Sequence, residues 1–401
     1  MKYCLIGKNL GHSYSKVIHS MQGLSYDLVE VSEDGLDEFI KSDYDGFNVT
    51  IPYKKAIIPF LDEVEESALS IGAVNTVLRK NGKLYGYNTD VFGMEFALDR
   101  AGIVIKDKKV MVLGTGGTSL TATAVCKRRG AKEVVYVSRS GELNYQNCYD
   151  EQDVEVIINT TPVGMYPEMD LSPIDLLRFN RLSGVFDCIY NPLRTSLILQ
   201  AEELGINCSN GLPMLVGQGI RAEEIWLGKE IERSRYDEVL KHLEDEKRNI
   251  VLIGMPSSGK STVAGLLSKR MGKEVIDTDG LILEMQGRTP AEIIESEGEA
   301  KFRDMECLAV EEATKRVGVI IATGGGAVLR QRNVRLLKRN GFLIYLERAV
   351  EKLIDKDRPL SKNGAISRLF EQRKPIYESA CDKKVSNDGK IEDTVKEILD
   401  L

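Results

Sequence analysis

The chain has 401 residues, of which 42% are hydrophobic and 29% charged, and its formal net charge is −7. This length predicts two or three domains with cores of ordinary size, and the composition is typical of soluble globular proteins. The negative net charge argues against nucleic acid as a partner, and no run approaches the ~20 apolar residues of a membrane helix.

Short apolar runs alternate with helix-length segments along the whole chain. In chain order, the predicted strands are YCLIG, GFNVTI, AVNTVLR, KVMVLG, EVVYVS, VEVIINTT, GVFDCIY, IVLIG, EVIDTD, GVIIATGGG and FLIYLE. This alternation predicts α/β units with largely parallel sheets.

The highly charged segment 228–249 carries no strand signal, so we interpret it as a helix and tether between two halves. The predicted domains are 1–102, with 213–240 packing back on it, then 103–212, a linker at 241–248, and 249–401.

The cysteines and the first residues indicate the compartment. Seven cysteines are scattered without a C-x-x-C pair or metal-ligand spacing, which favours reduced thiols. The opening MKYCLIGKNLGHS lacks the long apolar segment of a signal peptide. We therefore expect a cytoplasmic enzyme.

A first glycine-rich turn lies in KVMVLGTGGTSLTATAV, where a predicted strand leads through Gly114, Gly116 and Gly117 into a helix. Such a turn lets backbone N–H groups face a pyrophosphate. Ser119 replaces the last glycine of G-x-G-x-x-G, so an ordinary strand-to-helix turn remains an alternative. The next strand ends at Arg139, where an NAD-binding fold would have an acidic residue. A guanidinium suits a 2′-phosphate, which predicts NADP(H).

Two charged residues in the first hundred could support hydride transfer to a carbonyl. Lys54 follows a proline in NVTIPYKK, and Asp90 lies in the loop GYNTDVFG. A lysine near an aspartate can donate a proton to a developing alkoxide, while the carboxylate orients the ammonium. By spacing alone, both could be ordinary surface residues.

Several ordered motifs give these residues a context. GHSYS, NVTIPYKK, GAVNTV, GYNTD, GTGG, SRS, NTTPVGM, YNPLRT and GLPMLVGQG have the order and spacing of the shikimate dehydrogenase family. Residues 1–240 resemble that family. The resemblance implies an α/β substrate domain plus a Rossmann NADP-binding domain, and reversible reduction of 3-dehydroshikimate to shikimate by NADPH.

The same resemblance assigns roles to individual residues. Lys54 and Asp90 would form the catalytic pair. The substrate's carboxylate and hydroxyls would be held by Ser13, Ser15, Thr50, Asn75 and Gln218. The cofactor would contact Gly114, Gly116, Gly117 and Arg139, with Asn159, Thr160 and Met214 on its nicotinamide side.

Three positions depart from the family pattern. Lys16, Ser20 and Gly217 stand where proline, asparagine and histidine are common. We expect these positions at the rim of the substrate pocket, which leaves tolerance for analogues such as quinate open.

A second loop, in IVLIGMPSSGKSTVAGLL at 250–267, has the pattern G-x-x-x-x-G-K-S between a predicted strand and a helix. Backbone N–H groups of such a loop cradle phosphates, Lys260 reaches the transferred phosphoryl group and the Ser261 hydroxyl binds Mg²⁺. Gly254, Gly259 and Thr262 complete the predicted ATP site. The loop does not identify the acceptor.

Candidate acceptor-binding residues follow downstream. Asp277 and Asp279 end a predicted strand and face the same side. One carboxylate can serve Mg²⁺ through water, and the other can accept a hydrogen bond from a hydroxyl. Arginines follow at 303, 358 and 373, and guanidinium groups that converge on one pocket indicate an anionic substrate. Each arginine alone could equally be a surface residue.

The motifs GMPSSGKST, DTD, GEAKFR, GGGAV, RPL and RKPIY resemble shikimate kinase over residues 249–401. The resemblance implies a P-loop, nucleoside-monophosphate-kinase-like domain with a parallel sheet. It assigns shikimate to Asp279, Arg303, Gly325 and Arg373, with Asp279 positioning the attacking 3-hydroxyl. It assigns Mg²⁺ to Ser261 and Asp277, and charge stabilisation to Arg358 of a lid that is short for the family.

Shikimate would be the product of the first half and the acceptor of the second. We therefore predict a bifunctional enzyme of aromatic amino-acid biosynthesis whose partners are small molecules. A broad quinate/shikimate dehydrogenase, a gluconate-type or nucleotide kinase and a metabolite sensor without catalysis remain alternatives. The sequence leaves monomer and homodimer open.

Overall fold

The structure is a computed structural model, and it describes residues 1–8, 10–11, 13–353 and 365–401. The chain divides into two compact units. Unit 1 comprises Met1–Asn191 and Thr195–Leu243, and unit 2 comprises Pro192–Arg194 and Glu244–Leu401. The finer domain boundaries given above stay predictions. In the part of the chain that is described, no helix has the length and apolarity needed to cross a bilayer, and the cytoplasmic location stays a prediction.

The first sheet of unit 1 is mixed rather than largely parallel. Its strands are β1 (Tyr3–Gly7), β2 (Tyr26–Glu30), β3 (Gly46–Val49), β4 (Glu63–Val64), β5 (Thr76–Lys80) and β6 (Lys83–Tyr87), in the order β2-β1-β3-β5-β6-β4. β5 runs antiparallel to β3 and β6, whereas β1 runs parallel to β2 and β3. The helices of this region are α1 (Ser15–Met21), α2 (Leu36–Phe39), α3 (Glu66–Ile71) and α4 (Asp90–Arg100).

The second sheet of unit 1 is fully parallel. Its strands are β7 (Lys109–Leu113), β8 (Glu133–Val137), β9 (Val156–Asn159), β10 (Gly184–Asp187) and β11 (Asn207–Ser209), in the order β11-β10-β9-β7-β8. The helices that follow are α5 (Gly117–Arg128), α6 (Ser196–Glu203), α7 (Leu212–Leu227) and α8 (Arg233–Lys247). The last of these lies inside the segment predicted as a helix and tether.

Unit 2 is built on a third sheet, also parallel. Its strands are β12 (Asn249–Ile253), β13 (Val275–Asp277), β14 (Ile320–Ala322), β15 (Gly341–Glu347) and β16 (Lys383–Ser386), in the order β13-β14-β12-β15-β16. The helices are α9 (Lys260–Met271), α10 (Thr278–Gln286), α11 (Pro290–Glu297), α12 (Glu299–Thr314), α13 (Gln331–Lys338), α14 (Ala365–Ala380) and α15 (Ile391–Leu399).

Strand β7 explains why the parallel sheets are so apolar. All five of its residues are buried. Val110 and Val112 belong to one hydrophobic core, and Met111 and Leu113 belong to another on the opposite face. Successive side chains of a strand point to opposite faces, and a sheet covered on both faces needs apolar residues throughout. The loops that follow such strands are thereby anchored by two cores.

Several loops around the predicted site residues follow the carboxyl ends of the parallel strands. In unit 1 these are the loops after β7, β9 and β10, and in unit 2 those after β12, β13 and β14. Ligands of open α/β sheets bind at this edge, because helix N-termini and flexible loops meet there. Each of the predicted apolar runs overlaps one of the observed strands. All seven cysteines are free in the structure.

Candidate active sites

A cavity of 390 Å³ lies in unit 1, between the first sheet, the start of α4 and the start of α7. Eight predicted site residues line it: Ser13, Ser15, Thr50, Lys54, Asn75, Asp90, Met214 and Gln218. Residues far apart in the sequence therefore meet around one space. Hydroxyl and amide groups dominate this set, so the cavity suits a small ligand with many hydrogen-bonding groups.

A lysine–carboxylate pair lies on the wall of this cavity. Lys54 Nζ donates to Asp90 Oδ2 at 2.6 Å. Asp90 is the first residue of α4, where the helix dipole favours a negative charge. The Lys54 and Asp90 side chains remain 29% and 15% exposed, so a ligand in the cavity can contact them.

Asn75 joins the pair to the other side of the cavity. Its Nδ2 donates to Asp90 Oδ1 at 2.9 Å and lies 3.5 Å from Gln218 Oε1. Its Oδ1 accepts the backbone N–H of Thr89 at 2.7 Å. The Asn75 amide is thus held at both ends, and it fixes the orientation of the Asp90 carboxylate.

Sequence reasoning missed several residues of the cavity wall, among them Asn48 and Tyr190. Asn48 is the one polar side chain of the buried strand β3, and Tyr190 follows β10; burial raises the pKa of the Tyr190 hydroxyl. Both residues lie inside motifs that were singled out above. A polar side chain within a buried strand was the available signal for Asn48.

Lys16, Ser20 and Gly217 were expected at the rim of the cavity, and this position stays a prediction. None of the three lines the cavity, and Lys16 and Ser20 are exposed. Gly217 is buried between helices: a Cβ there would lie 3.1 Å from the Gly93 Cα. Its small size is therefore explained by the close contact of α7 with α4.

The glycine turn after β7 fits a dinucleotide. Gly114 has φ +95°, and a Cβ there would lie 2.9 Å from a Thr161 methyl carbon. Gly116 and Gly117 are exposed at the start of α5, and a Cβ on either would meet nothing within 4 Å. A pyrophosphate can therefore approach the first N–H groups of this helix. Arg139 is exposed just after the neighbouring strand β8.

The residues predicted on the nicotinamide side differ in their surroundings. Met214 lines the cavity. The Thr160 hydroxyl donates to the Leu113 carbonyl at 2.6 Å. Asn159 is completely buried, and its Nδ2 donates to Asp187 Oδ1 at 3.0 Å. The Asn159 side chain therefore supports the loop from within, and a direct cofactor contact through it stays a prediction.

Asp187 is a buried carboxyl group at the end of β10. Burial raises its pKa to about 6, and hydrogen bonds from Thr195, from the Ile189 backbone and from Asn159 oppose this shift. A raised pKa means that the folded state disfavours the charged form. The free energy of unfolding therefore increases as the pH falls from about 6 towards the ordinary pKa near 3.8. It decreases as the pH rises through the same range.

An Asp187→Asn variant is expected to lack this pH dependence. As the pH rises from about 4 to about 7, the wild type should lose roughly 2 kcal/mol of unfolding free energy relative to the variant. Trp226, the only tryptophan, lies in unit 1, so its fluorescence during urea unfolding reports this unit alone. The exposed Asp34→Asn serves as control. A constant difference between Asp187→Asn and wild type across this pH range contradicts the assignment.

The loop after β12 has the geometry of a phosphate cradle. Gly254 and Gly259 have φ values of +144° and +94°, which other residues rarely adopt. Lys260 Nζ donates to the carbonyls of Gly254 and Met255 at 2.9 and 2.8 Å. The ammonium group therefore lies over the loop, where it can contact a bound phosphate.

A potential cation site lies beside the loop. The Ser261 hydroxyl donates to Asp277 Oδ2 at 2.9 Å, while Asp277 Oδ1 accepts the Asp279 N–H and caps α10. Thr262 is exposed next to Ser261. Within the described residues, no group of three or more His, Cys, Asp or Glu side chains could hold a metal. The Ser261 hydroxyl and the Asp277 carboxylate are nevertheless sufficient for Mg²⁺. This ion usually keeps several water ligands and takes others from the phosphates of the substrate.

The third glycine turn, Gly324–Gly326, brings the predicted acceptor-binding residues together. A Cβ on Gly324 would lie 2.7 Å from Asp279 Oδ1, and one on Gly326 would overlap the Arg303 guanidinium. Arg373 Nη1 donates to the Gly325 carbonyl at 3.1 Å. One carboxylate and two guanidinium groups thus surround the same turn. This arrangement can bind a small acid and orient one of its hydroxyls.

Two further residues of unit 2 were missed. Glu306 is fully buried and accepts from Arg303 Nη1 at 2.8 Å; burial raises the pKa of Glu306, and Arg303 opposes the shift. The R-x-x-E spacing on α12 was the available signal. Arg348, after β15, donates to the Ser257 carbonyl of the phosphate loop at 3.3 Å. Arg358 and residues 359–364 of the short lid stretch lie outside the described residues.

Two family models match the chain. Residues 5–77 match the shikimate dehydrogenase substrate binding domain, and residues 256–401 match shikimate kinase. The first match contains Lys54, and the second contains the residues around the Gly324–Gly326 turn.

Similar proteins cover the first part of the chain. The shikimate dehydrogenase (NADP(+)) of Caldicellulosiruptor bescii is 40% identical over an alignment of 257 residues, and the match covers 56% of this chain and 88% of that protein. That of Clostridium perfringens is 36% identical over 60% of this chain and 97% of its own length.

Solved structures agree with these relatives. A chorismate mutase/shikimate 5-dehydrogenase fusion protein from Clostridium acetobutylicum has a TM-score of 0.58 and 35% identity, over 61% of this chain and 97% of its own. Shikimate 5-dehydrogenase from Thermus thermophilus, solved with NADP(H) and shikimate, has a TM-score of 0.55 and 29% identity. The match covers 60% of this chain and 99% of that chain. The chain therefore belongs to the shikimate dehydrogenase family and carries a shikimate kinase domain at residues 256–401.

Proposed function

We propose that this bifunctional enzyme reduces 3-dehydroshikimate to shikimate with NADPH and phosphorylates shikimate to shikimate 3-phosphate with ATP. The observation that carries the proposal is the cavity of unit 1, which gathers eight residues predicted from motifs. The Asp279, Arg303 and Arg373 set of unit 2 supports the same metabolite as acceptor. Both sites are built for a small acid with several hydroxyls.

In the reduction, Lys54 donates a proton to the carbonyl oxygen of the substrate. NADPH, when bound, supplies the hydride that reaches the carbonyl carbon. Asp90 orients the Lys54 ammonium by ion pairing at 2.6 Å, so the proton can be delivered where the alkoxide develops. In the reverse direction, neutral Lys54 accepts the same proton from the hydroxyl.

The other polar residues of the cavity bind and orient the substrate. Ser13, Ser15 and Thr50 offer hydroxyls that both donate and accept, and Gln218 offers an amide. Such groups can hold a carboxylate and several hydroxyls without placing further charge beside the Lys54–Asp90 pair. Once the substrate is bound in this way, its carbonyl carbon faces the side of the cavity where Met214 lies and where the cofactor would bind.

In the phosphorylation, Asp279 accepts a hydrogen bond from the attacking hydroxyl of shikimate. Arg303 and Arg373 bind its carboxylate, and Glu306 holds the Arg303 guanidinium in place. ATP with Mg²⁺, when bound, supplies the phosphoryl group. Lys260 stabilises charge on the transferred group, and Ser261 and Asp277 hold the cation side of the site. Arg358 would add a further positive charge.

A coupled assay tests the function directly. The chain is incubated with 3-dehydroshikimate, NADPH and ATP·Mg²⁺, and shikimate 3-phosphate is measured by mass spectrometry. The product should form only when all three are present, and added shikimate should replace 3-dehydroshikimate and NADPH. NADH in place of NADPH checks the role given to Arg139, and quinate in the oxidation direction checks breadth.

The outcomes separate the two halves of the proposal. Absence of NADPH oxidation with 3-dehydroshikimate would refute the dehydrogenase, and absence of phosphorylation of added shikimate would refute the kinase. The sensor alternative predicts that neither reaction occurs. The contact of Lys54 with Asp90 and the position of Lys260 over its loop argue against that alternative.

A further inference from the structure

Tyr26 lies directly behind the cavity of unit 1 without lining it. It is the first residue of β2, and only 3% of its surface is exposed. Its hydroxyl donates to Asn48 Oδ1 at 2.7 Å, and the Ser15 side chain lies close enough to interact with it. Asn48 and Ser15 both line the cavity. One buried phenol therefore supports two wall residues from different elements.

Asn48 connects Tyr26 to the Lys54–Asp90 pair through a chain of hydrogen bonds. Its Nδ2 donates to the Asn75 carbonyl at 3.2 Å and to Thr76 Oγ1 at 3.0 Å. Asn75 in turn donates to Asp90. The Asn48 amide is satisfied on both sides only while Tyr26 donates to its oxygen. A buried amide oxygen without a donor costs free energy, so Asn48 would turn or shift without it.

The ring of Tyr26 is itself held in place. The His19 ring stacks on it with centroids 4.1 Å apart and planes inclined by 28°. His19 Nδ1 pairs with Glu223 Oε1 at 2.6 Å, and both side chains are fully buried. Burial raises the pKa of Glu223, and the bond to His19 opposes that shift. The hydroxyl of Tyr26 thus occupies a fixed point between α1 and β3.

We propose that Tyr26 is a positioning residue of the dehydrogenase site, whose hydroxyl holds Ser15 and Asn48 in the orientation that binds the substrate. This inference rests on the proposed reduction of 3-dehydroshikimate. A phenol has one proton and can accept others. Because the single Tyr26 proton goes to Asn48, Ser15 is the donor towards Tyr26, and the Ser15 oxygen presents its lone pairs to a hydrogen-bond donor of a ligand in the cavity.

A Tyr26→Phe variant tests the role, because it removes the hydroxyl and keeps the stacked ring. The KM for 3-dehydroshikimate should rise about tenfold, as expected for the loss of one buried hydrogen bond on which binding depends. The kcat, the KM for NADPH and the phosphorylation of added shikimate should stay within about twofold of wild type. KM does not depend on the fraction of active enzyme, so partial unfolding cannot imitate this pattern.

Tyr236→Phe is the matched control. Tyr236 is as buried as Tyr26, with 2% exposed, its ring packs against Phe96 with centroids 5.3 Å apart, and it does not line the cavity. The two variants lose the same chemical group from the same unit. Only Tyr26→Phe should change the KM for 3-dehydroshikimate, and an equal rise in the control would overturn the proposal.

A double-mutant cycle with Ser15→Ala separates positioning from general packing. If Tyr26 acts through Ser15, adding Tyr26→Phe to Ser15→Ala should raise KM by no more than about twofold further, since coupled residues are not additive. Effects that multiply would overturn the part of the proposal that concerns Ser15, and an unchanged KM in Tyr26→Phe would overturn the positioning role as a whole. A wild-type chain that does not reduce 3-dehydroshikimate would instead refute the proposed function.

Discussion

A Lys54→Ala variant is expected to lose NADPH-dependent reduction of 3-dehydroshikimate by roughly 10²–10⁴-fold, the usual contribution of a positioned acid or base. The reason is that Lys54 Nζ, which lies on the cavity wall 2.6 Å from Asp90, is the proposed proton donor. Phosphorylation of added shikimate should remain, because Lys260 and its loop belong to unit 2. Both rates are measured on the same preparation, the first by NADPH absorbance and the second by ADP release.

The neighbouring lysine provides the control for this variant. Lys55 is exposed and does not line the cavity, so Lys55→Ala should leave both rates within about twofold of wild type. Loss of both activities in a folded Lys54→Ala protein would contradict the idea of two separate sites. Full retention of the reduction would show that another group donates the proton.

The second large effect is expected in unit 2. A Lys260→Ala variant should lose phosphorylation of shikimate by about 10²–10³-fold or more, as for the removal of a preorganised group that stabilises transition-state charge. Lys260 also contacts the carbonyls of Gly254 and Met255, so the loop loses an internal support. Reduction of 3-dehydroshikimate should continue at the wild-type rate. A coupled assay should then accumulate shikimate.

Lys269 is the control on the same helix. It is exposed in the last turn of α9, far along the helix from the loop, and Lys269→Ala should phosphorylate shikimate normally. A Lys260→Ala variant that still phosphorylates shikimate within tenfold of wild type would contradict the role assigned to the loop. The role would also be contradicted if Lys260→Ala lost the reduction of 3-dehydroshikimate while Trp226 fluorescence showed that unit 1 was still folded.

The pattern of apolar runs predicted all the fully buried strands, such as β1, β7 and β9, and also the partly exposed strands β8 and β13. It did not reveal β2, whose sequence YDLVE has mostly exposed side chains, nor the short strands β4 and β11. Nor did it reveal β6 and β16. Strands with exposed faces carry a weak periodic signal, and pairing with a neighbour rather than their own composition stabilises them. The mixed order of the first sheet was therefore beyond the sequence pattern.

The sites divide in a similar way. Residues that carry reactive charge, such as Lys54, Asp90 and Lys260, lie in motifs with fixed spacing and were predicted from them. Residues that act through another residue, such as Glu306 and Tyr26, have no such spacing relative to the group they support. Tyr26 meets Asn48 only because β2, β1 and β3 are neighbours in the sheet. Their role becomes visible only in three dimensions.

The contact between Gly93 and Gly217 bears on how selectivity could evolve. A Cβ on Gly93 would lie 2.4 Å from the Met214 carbonyl, so any larger residue there must push α7 away from α4. Asp90 begins one of these helices, and Met214 and Gln218 belong to the other. Two glycines outside the cavity thus act as a spacer that sets its width. The range of accepted acids can therefore drift through the helix interface while every lining residue stays the same.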